Sequence, residues 1–539
     1  VKELSNILTE ISSISPALGV SVMVPNSLGP GELITLYGTK EQKQYYLPKL
    51  ANGEFIPCFG LTGPNNGSDA TGNIDTGTLV RLNGKLKIKL NLNKRYITLA
   101  PVSNLLGIAF DLKDPNNLLG KTGVSVALVE RNHSNLIQET HHNPLDVGFP
   151  NGTIKGEIYL DIDHIIGGED NIGNGWKMLM ECLSAGRGVS LPATANASSK
   201  VATFGMYHYI KTRTQFKIPL SNMEGIQEKF INMVYNTWII QSSVNMTNDI
   251  LDEGNSPSVI SAIMKQQTTE RGRIVLNEAV DIHAGSAICI GYGNFLEKFY
   301  KSIPIGITVE GSNTLTRSLI IFAQGLNKSH PHIYPLLSSI LNDDIVDFKD
   351  KFKNIVYHSI SLYVKSFSLF SNHSSNLEKS IIQYATLTNF IALKGGLLKK
   401  EQMLSGDMAD IFSNLYLAIS VQYYENNYDT SEIFTQYIIQ RLLNENKRIT
   451  KRVLNNMTPL EKFALSHLNV DATPINYNDE RSIFREIMEN KSIIEHIKKN
   501  IHIKNTILED LESFTQLQDK DIHDETLYNK IIQVGEYKN

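Results

Sequence analysis

The spacing of apolar residues changes twice along this 539-residue chain, and this change constrains its fold more than any other feature. Between about residues 55 and 165, apolar and polar residues alternate, most clearly at 86–93, directly after the turn sequence Asn83-Gly84. Alternation after an Asn-Gly pair is typical of a β-hairpin that has one buried face and one solvated face. Residues 123–128 and 158–162 are further strand candidates. This region is therefore predicted to be a compact antiparallel β domain.

Helical spacing of apolar residues predicts α-helices on both sides of the β domain. Thr39 and Gln42 form a capping-box pattern, which predicts that a helix starts there. Pro48 is expected to end this helix, and Asn52-Gly53 to turn the chain. The apolar stripes that predict the other helices are Leu4, Ile7, Leu8 and Ile11; Trp176, Leu179, Met180 and Leu183; Ile226, Phe230, Val234 and Trp238; Val259, Ile263 and Met264; and Met408, Ile411, Phe412, Leu415 and Ile419.

These changes of pattern divide the chain into four regions. We predict an α+β, mainly α fold, with the end of a helical N-terminal domain at 1–54, a central β domain at 55–165, a helix bundle at 166–329 and an additional helical domain at 330–539. The last boundary contains His330 and His332, which could suggest a metal site, but no third ligand is near in sequence and a linker is favoured. The residues beyond about 500 are expected to pack weakly.

Composition is that of an ordinary globular protein. With 41% hydrophobic residues, 20% charged residues and a net charge of −4, the chain gives no reason to expect a nucleic-acid partner. No apolar run reaches the roughly 18 residues that a membrane-spanning helix needs. Cys58, Cys182 and Cys289 are too far apart for a metal or disulfide pattern, so we expect buried, inert thiols in a reducing, intracellular compartment. Because the chain starts inside a helical stripe at Val1, an N-terminal part is expected to be missing, and a lost membrane anchor stays open.

The loop at 61–70 is the first candidate binding element. It contains Thr62 and Ser68, whose hydroxyls can donate and accept hydrogen bonds, and Gly67, which lets a ligand approach the backbone. Taken alone, this composition is also that of an ordinary surface turn, and that interpretation is favoured. Two later elements, 94–98 and 309–313, change this balance through their order and spacing.

Eight short segments, in a fixed order, then carry a resemblance to a known family. They are NSLGPG (26–31), YGT (37–39), CFGLT (58–62), GSDA (67–70), NKRYITLAP (93–101), GNGW (173–176), RTQFK (213–217) and TVEG (308–311). In this order over about residues 1–330, the chain resembles the acyl-CoA dehydrogenases, and within them the large bacterial FadE type of fatty-acid β-oxidation. Residues 330–539 look like the extra helical domain of that type.

The resemblance implies FAD as the cofactor. Thr62 corresponds to a residue that hydrogen-bonds the flavin ring, Ser68 to one beside the cofactor and the substrate thioester, and Thr98 to one that bonds flavin N5. Gly67 and Tyr96, the latter often Trp in the family, are implied to line the same ring. For the FAD phosphates and adenine, which a neighbouring subunit contacts, the implied residues are Arg213, Gln215, Phe216 and Gly285.

The chain also departs from the family pattern at two places. Gly63 stands where many relatives have Glu. In the segment 281–287 the family favours a run of glycines, of which only Gly285 remains here. Each added Cβ in that segment could crowd the nucleotide and weaken the binding of FAD.

Glu310 corresponds to the catalytic base of the family. The implied reaction removes a proton α to a thioester carbonyl while a hydride leaves Cβ for the flavin. Such a base must be close to the substrate and shielded from water, which raises its basicity. Gly311 would let the loop take an unusual turn, and Ser68, Arg187 and Gly311 are implied to contact the substrate. In isolation, a Glu before a Gly would be interpreted as an exposed loop residue.

The function implied by the resemblance is the FAD-dependent α,β-dehydrogenation of medium- or long-chain acyl-CoA to trans-2-enoyl-CoA. Electrons would pass to an electron-transfer flavoprotein. Two alternatives stay open: an acyl-CoA oxidase that reduces O₂ directly, and a non-catalytic acyl-CoA-binding or scaffold protein. We expect a cytoplasmic homo-oligomer, and peripheral association with the inner membrane stays open. Neither a metal ion nor a nucleic-acid partner is expected.

Overall fold

The computed structural model describes residues 1–138, 140–255, 257–367 and 375–536. Four helices come first: α1 (Lys2–Ile14), α2 (Pro16–Leu28), α3 (Pro30–Tyr37) and α4 (Lys40–Ala51). The predicted capping box of α4 is confirmed. The Gln42 N–H donates to Thr39 Oγ1 at 3.2 Å, and the Thr39 N–H donates to Gln42 Oε1 at 3.0 Å.

Two expectations for these helices need correction. Pro48 lies inside α4, which continues to Ala51: the fixed φ of proline is a helical one, and the Asn52 N–H still reaches the Pro48 carbonyl at 3.1 Å. The apolar stripe of α1 is only partly buried: Leu8 is fully buried, whereas Ile7 is 54% exposed. The inward face of α1 consists largely of small polar side chains such as Ser5, which allow close helix packing.

A seven-stranded sheet follows in the chain. Its strands are β1 (Pro57–Gly60), β2 (Thr76–Leu82), β3 (Lys85–Thr98), β4 (Leu105–Lys113), β5 (Gly123–Glu130), β6 (His141–His142) and β7 (Asn151–Leu160), in the order β1-β4-β2-β3-β7-β6 with β5 also paired to β4. The predicted hairpin of β2 and β3 is confirmed, and Asn83 and Gly84 take the positive φ angles that its turn requires. The sheet is mixed rather than purely antiparallel, because β4 runs parallel to β1 and β2. Alternation within one strand cannot reveal such pairing between distant strands.

Three long helices form a bundle: α5 (Gly175–Thr212), α6 (Glu224–Asp252) and α7 (Ser258–His283). A short hairpin of β8 (Thr214–Gln215) and β9 (Ile218–Pro219) connects the first two. The predicted buried face of α6 is confirmed, with Trp238 only 1% exposed. In the predicted stripe of α5, Leu179 is buried as expected, but Trp176 and Met180 are 40% and 44% exposed, because Met178 packs beside Leu179 against the sheet in their place.

The remaining helices complete the fold. They are α8 (Gly285–Ile288), α9 (Glu297–Thr308), α10 (Asn313–Leu315), a π-helix (Thr316–Gln324), α11 (Leu326–Ser329), α12 (Ile333–Leu341), α13 (Ile345–Ser366), α14 (Asn376–Ala392), α15 (Gln402–Asn427), α16 (Glu432–Asn455), α17 (Pro459–Ala464), α18 (Tyr477–Glu489), α19 (Lys491–Lys498), α20 (Ile507–Gln518) and α21 (Glu525–Ile532). One hydrophobic cluster includes buried residues from Val201 to Ile531, so the bundle shares its core with the C-terminal helices.

The segment beyond residue 500 is better packed than the sequence suggests. Leu511 and Phe514 of α20 are fully buried, and α20 packs on α5. The expectation of weak packing is therefore wrong, because a short amphipathic helix can be anchored by a few large apolar side chains. None of the described helices is both long enough and apolar enough to cross a membrane.

The histidines and cysteines complete the comparison with the sequence. The ring of His358 lies 4.8 Å from that of His332, a proximity that sequence spacing could not show. Within the described ranges, no cluster of His, Cys, Asp and Glu is arranged to hold a metal ion. Cys58 and Cys182 are buried as expected, but Cys289 is exposed because it lies in the loop after α8.

Candidate active site

The 61–70 loop leaves the end of β1 and is folded around one buried asparagine. The Asn66 side chain accepts the Gly63 N–H at 2.6 Å and donates to the carbonyls of Leu61 at 3.1 Å and Ala70 at 2.8 Å. The loop therefore has a defined shape although it contains no regular secondary structure. In the part of the chain that the structure describes, the hydroxyls of Thr62 and Ser68 form no hydrogen bond, and a Cβ added at Gly67 would meet no atom within 4 Å.

A fully buried lysine joins this loop to strand β3. The Lys94 ammonium donates to the Leu61 carbonyl at 3.1 Å and lies 3.2 Å from the Asp75 carboxylate. Asp75 also accepts the Asn93 N–H at 3.0 Å. Burial lowers the pKa of Lys94, and Asp75 opposes this shift. A buried cation needs such partners, so the pair fixes the position of the loop relative to β3.

Strand β3 is distorted where it carries Tyr96 and Thr98. Its pairing with β7 shifts between Lys94 and Ile97, and Tyr96 takes a φ of +61°. Tyr96 is 60% exposed as a result. The Asn151 side chain donates to the Tyr96 carbonyl at 3.2 Å and to Thr98 Oγ1 at 3.4 Å. A bulge of this kind re-aims side chains beside a site, and Asn151 fixes their new direction.

The 309–312 loop, which carries Glu310, connects α9 to α10. Glu310 and Gly311 have φ angles of +55° and +92°. A non-glycine residue with positive φ is strained by about 1–2 kcal/mol, so its neighbours must hold it in place. Ser312 then accepts the Leu315 N–H at 3.3 Å and starts the next helix.

Two cations from different helices lie beside this loop. Lys265 of α7 is fully buried, and its ammonium donates to the Gly311 carbonyl at 2.6 Å and to Asn313 Oδ1 at 2.7 Å. Arg187 of α5 is close enough to interact electrostatically with Glu310, and burial lowers the pKa of its guanidinium. Burial also lowers the pKa of Lys265 to about 8, while the charge of Glu310 opposes this shift.

A small apolar cluster connects the 309–312 loop to the β domain. Val309, directly before Glu310, packs in a cluster with Leu191 of α5, Met23 of α2 and Phe149. Phe149 is two residues before Asn151, which binds Tyr96 and Thr98. The structure therefore joins the predicted base and the predicted flavin residues by a short chain of contacts.

The other predicted cofactor residues lie at the far ends of α5 and α7. Arg213 ends α5, and Gln215 and Phe216 form the following hairpin, where Phe216 is 90% exposed at a φ of +53°. Tyr209 interacts with Arg213 and with Ser286, so Gly285 lies close to this group. At 1.5 Å per helical residue, Arg213 is about 39 Å along α5 from Arg187. This group is therefore well separated from the 309–312 loop along the bundle.

Sequence reasoning missed Asn66, Lys94, Asn151, Lys265 and Asn313. Lys94 had a detectable signal, because it continues the inward-facing positions of β3 at which Leu90 and Leu92 stand. Lys265 likewise follows Ile263 and Met264 in the buried face of α7. A charged residue in an apolar pattern indicates a buried ion pair or a functional site. The role of Asn313 had no local signal.

Comparisons with known proteins identify relatives of this chain. Residues 3–54 match the family described as acyl-CoA dehydrogenase, N-terminal domain; residues 173–324 match its C-terminal domain; and residues 327–538 match the C-terminal domain of the bacterial type. Among curated proteins, the chain is 29% identical to an acyl-CoA dehydrogenase of Bacillus subtilis (strain 168), over 58% of this chain and 79% of that protein. It is also 29% identical to an acryloyl-CoA reductase (NADH) of Anaerotignum propionicum, over 54% of this chain and 71% of that protein.

A solved structure shows the same fold over nearly the whole chain. The acyl-CoA dehydrogenase of Bacillus anthracis, which was solved in complex with FAD, superimposes with a TM-score of 0.71 at 22% identity, covering 90% of this chain and 84% of that one. The C-terminal helices are thus part of a known arrangement. Together with the matched domains, these findings show that the chain belongs to the acyl-CoA dehydrogenase family.

Proposed function

We propose that this chain is a FAD-dependent acyl-CoA dehydrogenase that converts acyl-CoA to trans-2-enoyl-CoA. One observation carries the proposal. Glu310, held at a positive φ between Arg187 and Lys265, is connected through Val309 and Phe149 to the strand that presents Tyr96 and Thr98. A carboxylate base next to a surface of free hydrogen-bonding groups suits the removal of a proton beside a thioester.

The residues on the β side fit a flavin ring. The hydroxyls of Thr62 and Ser68 are available for hydrogen bonds within the described chain, and the space at Gly67 is open. The bulge in β3 exposes Tyr96 and its backbone. We propose that these groups and Thr98 hold the ring. Bound FAD supplies the acceptor for the hydride that leaves Cβ.

In the proposed reaction, Glu310 accepts the α-proton of the substrate. A carboxylate can act as a base only in its ionised form, and burial alone would favour the protonated form. The charges of Arg187 and Lys265 oppose that tendency, because both cations interact with Glu310. The family implies that the Glu310 N–H and a cofactor hydroxyl bind the thioester oxygen, and that Ser68, Arg187 and Gly311 contact the substrate.

A cleft next to the 309–312 loop is our candidate for the acyl chain. It lies between α1, α2, α5, α7 and α9, and its largely apolar lining includes Val20, Met23, Leu191, Ile303, Ile305 and Gly306. Ile305 and Gly306 are on α9, a few residues before Glu310. On the family resemblance, we propose that medium- or long-chain acyl groups enter here in fatty-acid β-oxidation and that an electron-transfer flavoprotein accepts the electrons.

The nucleotide half of FAD is proposed to be held by a second copy of the chain. Arg213 is about 39 Å along α5 from Arg187, which lies beside the 309–312 loop, and Gln215 and Phe216 follow Arg213 in the hairpin. Phe216 is 90% exposed at the tip of a hairpin, where a second subunit could cover it. We therefore propose a homo-oligomer in which each flavin site is completed by a neighbour. The proposed domains are the four regions 1–54, 55–165, 166–329 and 330–539.

Anaerobic titration of the purified protein with acyl-CoAs of graded length tests the proposed function. We expect a yellow protein whose flavin absorbance is bleached by saturated acyl-CoA, with the largest effect at the preferred chain length. Rapid reoxidation by air would instead indicate an oxidase, and bleaching by NADH with reduction of an enoyl-CoA would indicate a reductase. A colourless protein that does not take up FAD would contradict the proposal.

A further inference from the structure

We propose that Lys265 is a positioning residue for this reaction, which fixes the 309–312 loop and keeps the Glu310 carboxylate ionised. This inference rests on the proposed function, because it concerns the residue that we assign as the base. It adds a second cation, from a different helix, to the Arg187 side chain that the family resemblance implied.

The geometry ties the loop to one helix through Lys265. Its ammonium, with no exposed surface, donates to the Gly311 carbonyl at 2.6 Å and to Asn313 Oδ1 at 2.7 Å. Asn313 in turn donates to Thr269 Oγ1 and to Glu270 Oε1, both at 2.9 Å. The residues directly after Glu310 are therefore attached to α7 over more than one helical turn. Such attachment can maintain the positive φ angles of Glu310 and Gly311.

The charges around the loop come from two helices. Arg187 of α5 and Lys265 of α7 both interact with Glu310, and Glu270 of α7 interacts with Lys265. Arg273, one turn further along α7, lies 3.6 Å from Glu270 and partly neutralises it. The oxygens that bind the Lys265 ammonium directly belong to a carbonyl and an amide, which are uncharged. The positive charge of Lys265 is thus available to act on Glu310.

The interaction between Lys265 and Glu310 is mutual. Glu310 raises the pKa of Lys265, so the protonated lysine must equally stabilise the ionised carboxylate. Because the pKa of Lys265 is about 8, the lysine is mostly protonated at neutral pH. Removing its charge should raise the pKa of Glu310. The base would then be protonated over a wider range, and the acidic limb of the rate profile would move to higher pH.

The experiment measures the rate of anaerobic flavin bleaching by saturating acyl-CoA between pH 5 and 9 in the wild type, Lys265→Met and Lys265→Arg. For Lys265→Met we expect the midpoint of the acidic limb to rise by about one pH unit and the rate at pH 6 to fall about tenfold, with the loss recovered at high pH. Lys265→Arg should shift the midpoint less, because it keeps the charge. The substrate concentration at half-saturation should change little.

Lys200→Met is the matched control. Lys200 is another buried lysine of the bundle, whose ammonium donates to the carbonyls of His496 at 3.3 Å and Lys499 at 2.9 Å, on the side of α19. Thermal unfolding of all variants shows how far each substitution lowers stability. We expect both methionine variants to lose stability, and only Lys265→Met to shift the pH midpoint.

The outcomes separate this inference from the proposed function. If the wild type is not bleached by any acyl-CoA, the proposed function fails. If the wild type is bleached and Lys265→Met shows an unchanged midpoint, with a rate lowered equally at every pH or not at all, then Lys265 is merely structural and the inference is overturned. Retention of flavin, read from the absorbance spectrum, confirms in each case that the variant is folded.

Discussion

The two sides of the candidate site share one structural feature, a strained residue supported by a buried lysine, but they differ in whether the charge of that lysine is neutralised. Each side presents a non-glycine residue at positive φ, Tyr96 or Glu310, and each rests on a buried lysine, Lys94 or Lys265. Lys94 lies 3.2 Å from the Asp75 carboxylate and is neutralised by it. Among the described residues, the Lys265 ammonium donates to a carbonyl and to an amide, and its charge acts on Glu310.

Under the proposed function, this difference follows from what each side would bind. The β side would hold a large ring by hydrogen bonds, and an internal ion pair makes that side rigid without adding net charge. The helical side would keep a carboxylate ionised where burial favours its protonated form, which requires positive charge that no nearer anion cancels. A buried lysine can therefore act as a structural ion-pair partner or as a source of electrostatic potential, depending on its nearest partners.

The largest expected effect tests the buried ion pair of Lys94 and Asp75. Lys94→Met leaves the Asp75 carboxylate without its cation, and breaking a buried pair from one side costs about 3–5 kcal/mol. We expect a loss of this size in chemical unfolding, together with weaker retention of FAD on gel filtration, because the 61–70 loop is no longer attached to β3. Lys87→Met on the same strand is the control: its pair with Asp161 is partly exposed and should contribute about 1 kcal/mol or less. Equal losses in the two variants would break the comparison.

The sequence predicted the parts of this site that depend on local chemistry. The β2–β3 hairpin and the cap at Thr39 were readable because their interacting residues are neighbours in the chain. The contacts that support the site could not be predicted in this way, because they join residues far apart in the chain. Lys265 and Gly311 are 46 positions apart, and the parallel pairing of β1 with β4 joins residues about as distant. The orientation of α5 was also missed at Trp176, because the sheet, and not the helix itself, decides which face is covered.

The next largest effect tests the role of Thr98 on the β side of the candidate site. Thr98→Val removes the hydroxyl that accepts a hydrogen bond from Asn151, while the hydrogen bond from Asn151 to the Tyr96 carbonyl remains. We expect turnover to fall about tenfold, the value of one or two hydrogen bonds, while FAD is retained, because the loop and Lys94 are unchanged. Thr78→Val on the neighbouring strand β2 should leave both quantities unaltered. Turnover equal to the wild type would show that Thr98 does not contact the reacting part of the cofactor.

The smallest expected effect is a gain in stability, in contrast to the losses predicted above. Ala284 takes a φ of +55° and a ψ of −134°, a conformation that suits glycine, in the segment where the family favours glycines. Unlike Tyr96 and Glu310, it carries no side chain that the site would use. Ala284→Gly should therefore stabilise the protein by about 1 kcal/mol in urea unfolding. Ala287→Gly, in the buried part of α8, should destabilise it instead. A destabilised Ala284→Gly variant would show that this strain is not relieved by glycine.

The central claim is the proposal that Glu310 is the base and that Lys265 holds its loop and supports its negative charge. Glu310→Gln tests it most directly, because the amide keeps the shape of the side chain and cannot accept the proton. Rapid mixing of the purified variant with acyl-CoA under anaerobic conditions should show a normal flavin spectrum, binding of the substrate and no bleaching. Bleaching at the rate of the wild type would contradict the claim and would assign the base to another residue.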